Sequence, residues 1–571
     1  MKLRRSALSL VLAGAAALGL PSPVAAQGDA GAYLAARIAG SRDDHREAAG
    51  WFTRALLADP TNTTLMEGAI IAHMGAGNLD AAVAVARRLE QQGGTAQVGH
   101  LALIADQVKR EDYEALLADL SAGRSVGRLL DALATAWGHL GAGRSERAIA
   151  GFDELAGQPG LQAFGLYHKA LALASAGDFE GADDILSGRA AGEVRLMRRG
   201  VVAHAQILSQ LERNEDALAV LERSFPGTND PATDRLKDAL RTGEMLPYTA
   251  ARNAAEGMAE VFFTLAAALN GEASDGYTLL YARIAAWLRP DHSEAVLLAA
   301  SLLESQRNYG LAVETYARIT PENGSFFAAE IGRARALQAD GRAEAAVEAL
   351  RGLARSHGDL LGVHVALGDA LRRSQRWEEA AAAYDVAVER AGPPQPEHWS
   401  LYYYRGIAHE RGDVWPEAEA DFQQALALNP DQPQVLNYLG YSWIDRGERL
   451  DEALAMIERA VAAQPDAGYI IDSLAWGLFR LGRYEEALEP MERASVLEPV
   501  DPVVTDHLGD VYWAVGRQME ARFQWRRALS FDPEEKDALR IRRKLEVGLD
   551  AVLREEGAPP LRPVDAARAG N

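Results

Sequence analysis

The chain has 571 residues, 48% of them hydrophobic and 25% charged. That composition excludes wholesale disorder, and the length exceeds what one compact core accommodates, so several domains or an elongated repeat array is expected. A net charge of −22 argues against nucleic-acid or anionic-lipid binding, and the lack of any cysteine excludes disulfides, thiolate catalysis and Cys-ligated zinc.

Residues 1–26 read as a secretory signal. Lys2, Arg4 and Arg5 precede an apolar run from Ala7 to Leu20, and Val24-Ala25-Ala26 offers small residues for cleavage before Gln27. The run is short for a membrane span, although retention as an uncleaved anchor stays open. Cleavage would deepen the net charge from −22 to −25 by removing those three cations. The expected location is a bacterial periplasm, with a soluble mature product that lacks a cysteine for lipid attachment.

From residue 27 onward, small residues recur at a helix-pair period. Ala36, Ala69, Ala136, Ala170 and Ala205 mark an array over 27–225, with a degraded copy near Ile104. Residues 226–256 break the rhythm with Phe225-Pro226-Gly227 and read as a linker or an eroded repeat. The rhythm resumes over 257–533 at Ala266, Ala300, Ala334, Gly368, Gly406, Gly440, Ala475 and Gly509. The total is about fourteen units. A charged helix over 534–556 is expected to cap the stack, and 557–571, rich in Pro, Ala and Gly, to form a disordered tail.

The pattern is clearest from 402 to 533, where four phrases close at Pro430, Pro465, Pro499 and Pro533. Within each, apolar residues at helical spacing form two runs, as at Leu436, Leu439 and Trp443 and then Leu454, Ile457 and Val461. Glycines at 447, 482 and 516 suit the left-handed turn between the two helices. The small residue marks where the helices cross, and Ala418, Ala453, Ala487 and Ala521 are its expected partners. One such pair cannot bury its apolar face alone, so an all-α solenoid of stacked helix-turn-helix units is predicted.

These phrases resemble tetratricopeptide repeats (TPRs), nearly completely over 402–533, well over 258–391, and moderately over 30–90 and 128–224. That resemblance implies a right-handed superhelix that binds peptides or proteins. The order of GMAEVFFTLAAAL (257–269), LNYLGYSWIDRG (436–447) and HLGDVYWAVGR (507–517) also resembles bacterial envelope proteins with many such repeats. One type in that group is an outer-membrane lipoprotein adaptor that presents peptidoglycan cross-link hydrolases to a carboxy-terminal processing protease. This chain departs from that type in having Ala26-Gln27 where a lipidation cysteine would stand.

No catalytic constellation emerges, and no cofactor or metal is expected. The histidines lack HExxH or HxxxH spacing, and there is no phosphate-loop motif. Gly123-Arg124-Ser125-Val126-Gly127 matches GxSxG by letters but lies between helical runs, where a nucleophile elbow has no strand to sit on. Arg235, Lys237, Asp238, Arg241, Glu244 and Tyr248 cluster in 226–256 without recognisable geometry. His409 and His507 read as packing or surface residues.

By analogy with the repeat family, positions flanking the small residue of each first helix face a groove. They are Tyr403 and Ile407, Asn437 and Tyr441, Asp472 and Trp476, and Asp506 and Asp510, with Phe479, Arg480 and Trp513 beyond. Rings can cover apolar side chains of an extended peptide while amides and carboxylates bond its backbone. The expected partners are proteins or peptides of the cell envelope, favouring neutral or basic segments. Stacking of a glycan on the same rings is the alternative.

Overall fold

The computed structural model describes residues 27–561 apart from 191, 193, 194 and 227–229. The expected signal at 1–26 and residues 562–571 of the expected tail lie outside the described residues. Among the described residues there are 31 α-helices and no strand. They form two compact units, one up to Arg355 and one from Ser356 onward.

The first unit opens with α1 (Gln27–Ser41) and α2 (His45–Ala58), then α3 (Thr63–Gly75) and α4 (Leu79–Gln91). Next come α5 (Gln97–Lys109) with α6 (Tyr113–Ser121) and α7 (Arg128–Gly141) with α8 (Ser145–Ala156). α9 (Gln162–Ser175) pairs with α10 (Phe179–Leu186), and α11 (Arg198–Gln210) with α12 (Asn214–Ser224). α13 (Pro231–Arg241) stands outside the pairing and packs on α12. Then follow α14 (Ala254–Leu269) with α15 (Asp275–Leu288), α16 (Ser293–Ser305) with α17 (Tyr309–Tyr316), and α18 (Phe326–Ala339) with α19 (Ala343–Ser356).

In the second unit α20 (Leu361–Arg373) pairs with α21 (Trp377–Ala391) and, after a 3-10 turn, α22 (Trp399–Arg411) with α23 (Trp415–Leu428). α24 (Pro433–Arg446) and α25 (Leu450–Ala463) follow, then α26 (Gly468–Arg480) and α27 (Tyr484–Leu497). The last pairs are α28 (Pro502–Ala514) with α29 (Gln518–Leu529) and α30 (Glu535–Val547) with α31 (Leu549–Glu555). The helix count is consistent with about fourteen repeats. The expected single capping helix is two, broken at Gly548, whose φ of +84° turns the chain back.

The small residues lie at the helix crossings. Ala36, Ala69, Ala170, Ala205, Ala266, Ala300 and Ala475 have no exposed surface. A Cβ added at Gly368, Gly406, Gly440 or Gly509 would come within 2.5, 2.7, 2.8 or 2.4 Å of Tyr384, Phe422, Ile457 or Trp525. The nearest neighbour across the crossing is therefore the bulky residue one turn beyond the expected alanine. Those alanines, Ala418, Ala453, Ala487 and Ala521, are fully buried, and the Ala453 carbonyl oxygen would lie 2.9 Å from a Cβ on Gly440. Between hairpins, Arg459 reaches back to the Pro430 carbonyl at 2.9 Å, and Arg493 and Arg527 repeat that bond to Pro465 and Pro499.

In the first unit the same chain fills the faces of its own first helices. α14 lies against α7 and α9, and α15 against α3 and α5. Gly257 of α14 sits so close to the Trp137 ring that a Cβ would come within 2.3 Å. Glu260, fully buried, accepts from the Tyr167 hydroxyl at 3.0 Å and from Arg199 at 2.5 Å. Burial alone would raise that carboxyl's pKa, but Arg199 outweighs it and holds the group well below the carboxylate range. Beside it, burial pushes the His168 imidazole down to about 4, so its ring is neutral when it meets Thr264 at 3.1 Å. The compact division consequently falls after Arg355, not at the irregular 226–256 stretch.

Gly440→Val is expected to lower unfolding free energy by about 1–3 kcal/mol through overpacking. Gly50→Ala, in a helix with open space around it, is expected to raise stability by up to about 1 kcal/mol. Urea denaturation of both variants checks the contrast.

Candidate binding site

In the second unit the first helices of successive hairpins touch one another as well as their own partners, so α22, α24, α26 and α28 share a wall. A cleft of ≈ 380 Å³ opens on it. α24 contributes Asn437, Tyr438, Tyr441 and Asp445, α22 Glu410, and α26 Tyr469 and Asp472. Trp415 from the start of α23 and Val503 from α28 complete the ends.

Asn437 sits at the base of the cleft, only 9% exposed, and its buried Oδ1 has no hydrogen-bond partner. An orphaned buried acceptor costs free energy that a donor arriving with a ligand would recover. Tyr438 gives its hydroxyl to Glu410 at 3.0 Å, and Arg446 lies 4.7 Å above the Trp415 ring. Burial, reinforced by the neighbouring Asp472 charge, raises the Tyr441 phenol well above its ordinary value, so it remains a neutral donor. The cleft thus combines aromatic surface, an unsatisfied acceptor and charges of both signs.

Of the residues expected to face a groove, Asn437, Tyr441 and Asp472 come together here. Arg480 is exposed and donates to the Asp445 carbonyl oxygen at 3.3 Å. Tyr403 is half-buried and meets Tyr438 edge to face, with ring centroids 6.0 Å apart. Trp476 is buried, stacked on Phe479 at 4.8 Å and on His507 at 4.0 Å. Asp506 and Trp513 lie beneath the final hairpin and not on an open wall. Tyr438, Trp415 and Tyr469 fall outside the register used to pick groove positions. For Tyr438 and Tyr469 the signal was an aromatic residue within one turn of Asn437 or Asp472, whereas Trp415, at the start of α23, carried none.

The final hairpin covers α28 through a buried charge cluster. Lys544, with no exposed surface, places Nζ 2.6 Å from Asp506 and 2.7 Å from Asp510, and Trp525 donates to Asp510 at 2.9 Å. Trp513 donates to Asp550 of α31 at 2.8 Å, and a Cβ on Gly548 would come within 2.6 Å of its ring. Any side chain at 548 would lift the hairpin.

The other sequence candidates resolve into local roles. Gly123–Gly127 is the turn between α6 and α7, where Ser125 donates to Asp131. In 226–256, Lys237 donates to the Phe225 carbonyl, Tyr248 to the Leu171 carbonyl, and Arg241 pairs with Glu222 and Asp238. His507 lies 3.0 Å from Asp472. Although burial opposes charge on that imidazole, Asp472 outweighs it and raises the pKa.

The tetratricopeptide repeat family model matches residues 331–396, 365–433, 406–468 and 445–502. The chain carries tetratricopeptide repeats, a fold that serves as a scaffold for binding peptides and proteins. TPR repeat-containing protein PA4667 of Pseudomonas aeruginosa is 28% identical over 183 residues, 32% of this chain and 30% of that protein. Cytochrome c-type biogenesis protein CycH of Rhizobium meliloti is 33% identical over 98 residues, 17% of this chain and 26% of that one. This chain therefore spans less than a third of either relative's length. A solved tetratricopeptide repeat protein from Parabacteroides merdae is 16% identical, covering 46% of this chain and 99% of its own, with a TM-score of 0.38. No helix among the described residues is long and apolar enough to cross a membrane.

Replacing Lys544 by Met strands two carboxylates under the final hairpin and is expected to destabilise the second unit by about 3–5 kcal/mol, read by tryptophan fluorescence in denaturant. The raised His507 pKa means that protonation favours the folded state. Its contribution is complete below the ordinary value of 6.5 and is lost as pH rises through the raised value. Stability curves of the parent and His507→Gln, measured across that window, should diverge at low pH and converge at high pH.

Proposed function

We propose that this protein is a non-enzymatic periplasmic scaffold that seats an extended segment of an envelope protein in the α22–α28 cleft. One observation carries the reading: the buried, unpartnered Oδ1 of Asn437 at the base of an aromatic-lined cleft. A backbone N–H of an extended peptide supplies the missing donor, and Tyr438, Tyr441 and Tyr469 cover its apolar side chains. Glu410, Asp445 and Asp472 outnumber Arg411 and Arg446 on the lining, which favours neutral or basic segments over acidic ones.

The signal-like residues 1–26 support passage through an inner membrane and with it an envelope setting. The partners that fit are a processing protease, cell-wall enzymes, or an assembly or export machine. In the first unit the comparable helix faces are occupied by α14 and α15, which supports placing the ligand seat in the second.

The test is affinity capture from periplasmic extract with the parent protein and with Asn437→Ala/Tyr441→Ala. A specific partner should be recovered by the parent and lose on the order of thirtyfold in affinity with the double variant, as for removal of an interface hot spot. Equal capture by both proteins would remove the cleft from the reading. Saturable binding of peptidoglycan fragments or exported polysaccharide at the same residues, with no protein partner, would replace peptide by glycan.

A further inference from the structure

A second cavity, of ≈ 320 Å³, lies in the first unit between the α3–α4 turn and helices α15 and α17. Its charged lining is two arginines, Arg283 and Arg318, and one acid, Glu314. Arg283, 4% exposed, donates Nε to the Gly75 carbonyl at 3.2 Å and Nη1 to the Thr315 hydroxyl at 3.1 Å. Arg318 donates to the Ala286 carbonyl at 3.1 Å. Next to the cavity, Lys109 donates to the Trp287 carbonyl at 2.8 Å and lies 5.3 Å from the Trp287 ring.

All three cations therefore bond only neutral oxygens, and none has a carboxylate within ion-pair distance among the described residues. The lining acid, Glu314, pairs instead with Arg46 at 2.6 Å, where both side chains are largely exposed. That is unusual in a chain whose net charge is −22. Elsewhere, part-buried Arg199, Arg335 and Arg540 have carboxylates beside them that hold their pKa values up. For Arg283, burial and then the Arg318 charge push the guanidinium down to about 10, outweighing the upward pull of Glu314, and burial lowers Arg318 as well. A buried guanidinium with donors to spare and no carboxylate in direct ion-pair contact is costly unless an anion completes the site.

We propose that this cavity binds a small organic oxyanion, a phosphate or carboxylate group, between Arg283 and Arg318. The cavity exceeds the size of a bare oxyanion, and Trp287, Leu79 and Leu311 offer apolar wall for the organic body. Because the lining comes from the α3–α4 turn as well as from α15 and α17, the bound anion also ties the first hairpins to the helices they enclose. The site shares no residue with the α22–α28 cleft.

Isothermal titration of the full chain with sodium phosphate and, separately, with citrate, at ionic strength balanced by sodium chloride, tests this. One saturable site is expected, and the anion that binds more tightly identifies phosphate or carboxylate as the recognised group. Arg318→Gln, at the exposed edge, should lower affinity on the order of ten- to a hundredfold, as expected for loss of a charged hydrogen-bonding group. Arg283→Met should abolish binding, and Asn437→Ala should leave it unchanged. No saturable heat with either anion, or undiminished binding by Arg318→Gln, would overturn the proposal. Arg318→Gln decides the matter even if Arg283→Met fails to fold.

Discussion

The regular hairpins of this protein depend on two helices approaching at one small residue. At Gly509 the Trp525 ring fills the place of a side chain, at Gly406 the Phe422 ring does so, and at Gly440 the Ile457 side chain. Such a crossing permits a large apolar side chain on the second helix to sit directly on the backbone of the first. That bulk then reaches the next hairpin as well, as Trp525 does where Lys544 of α30 lies 5.4 Å from its ring. Remove the close approach and both the pair and the stacking beyond it are lost, which is why the period is carried by alanine and glycine.

The first helices of the two units share this construction but put their outward faces to different uses. In the first unit they receive α14 and α15, and the Glu260 carboxylate is neutralised there by Arg199 at full burial. In the second unit the end of the wall is sealed by Lys544 on Asp506 and Asp510, while the middle remains a cleft with an unpaired Asn437 acceptor. Buried charge closes a face only where its counter-charge arrives from another element. Where no ion-pair partner arrives, as at Arg283, or no hydrogen-bond donor, as at Asn437, the face is left with unmet capacity.

The stack of helix pairs was legible because packing inside a hairpin is local: partners lie about sixteen residues apart and repeat at a fixed period. Asn437, Tyr441 and Asp472 were legible for the same reason, since neighbouring first helices repeat the same register. Asp506 and Trp513 occupy that register too, yet are covered by Lys544 and Asp550 from a hairpin that follows the repeats. One sign of burial was present in α14, whose GMAEVFFTLA run is apolar nearly all round and is buried nearly all round. Its neighbours Trp137 and His168 are about a hundred residues away, and no period links them.

The sequence by itself determined the helices, their pairing and their turns, because small residues, αL glycines and terminal prolines act on backbone within a few residues. Gly447, Gly482 and Gly516 all adopt the positive φ that their place between helices requires. Tertiary structure alone decided which identical-looking faces are open, since that depends on elements brought back from far along the chain. The pocket at Arg283 exists only through such a return, which brings α15 and α17 against the α3–α4 turn.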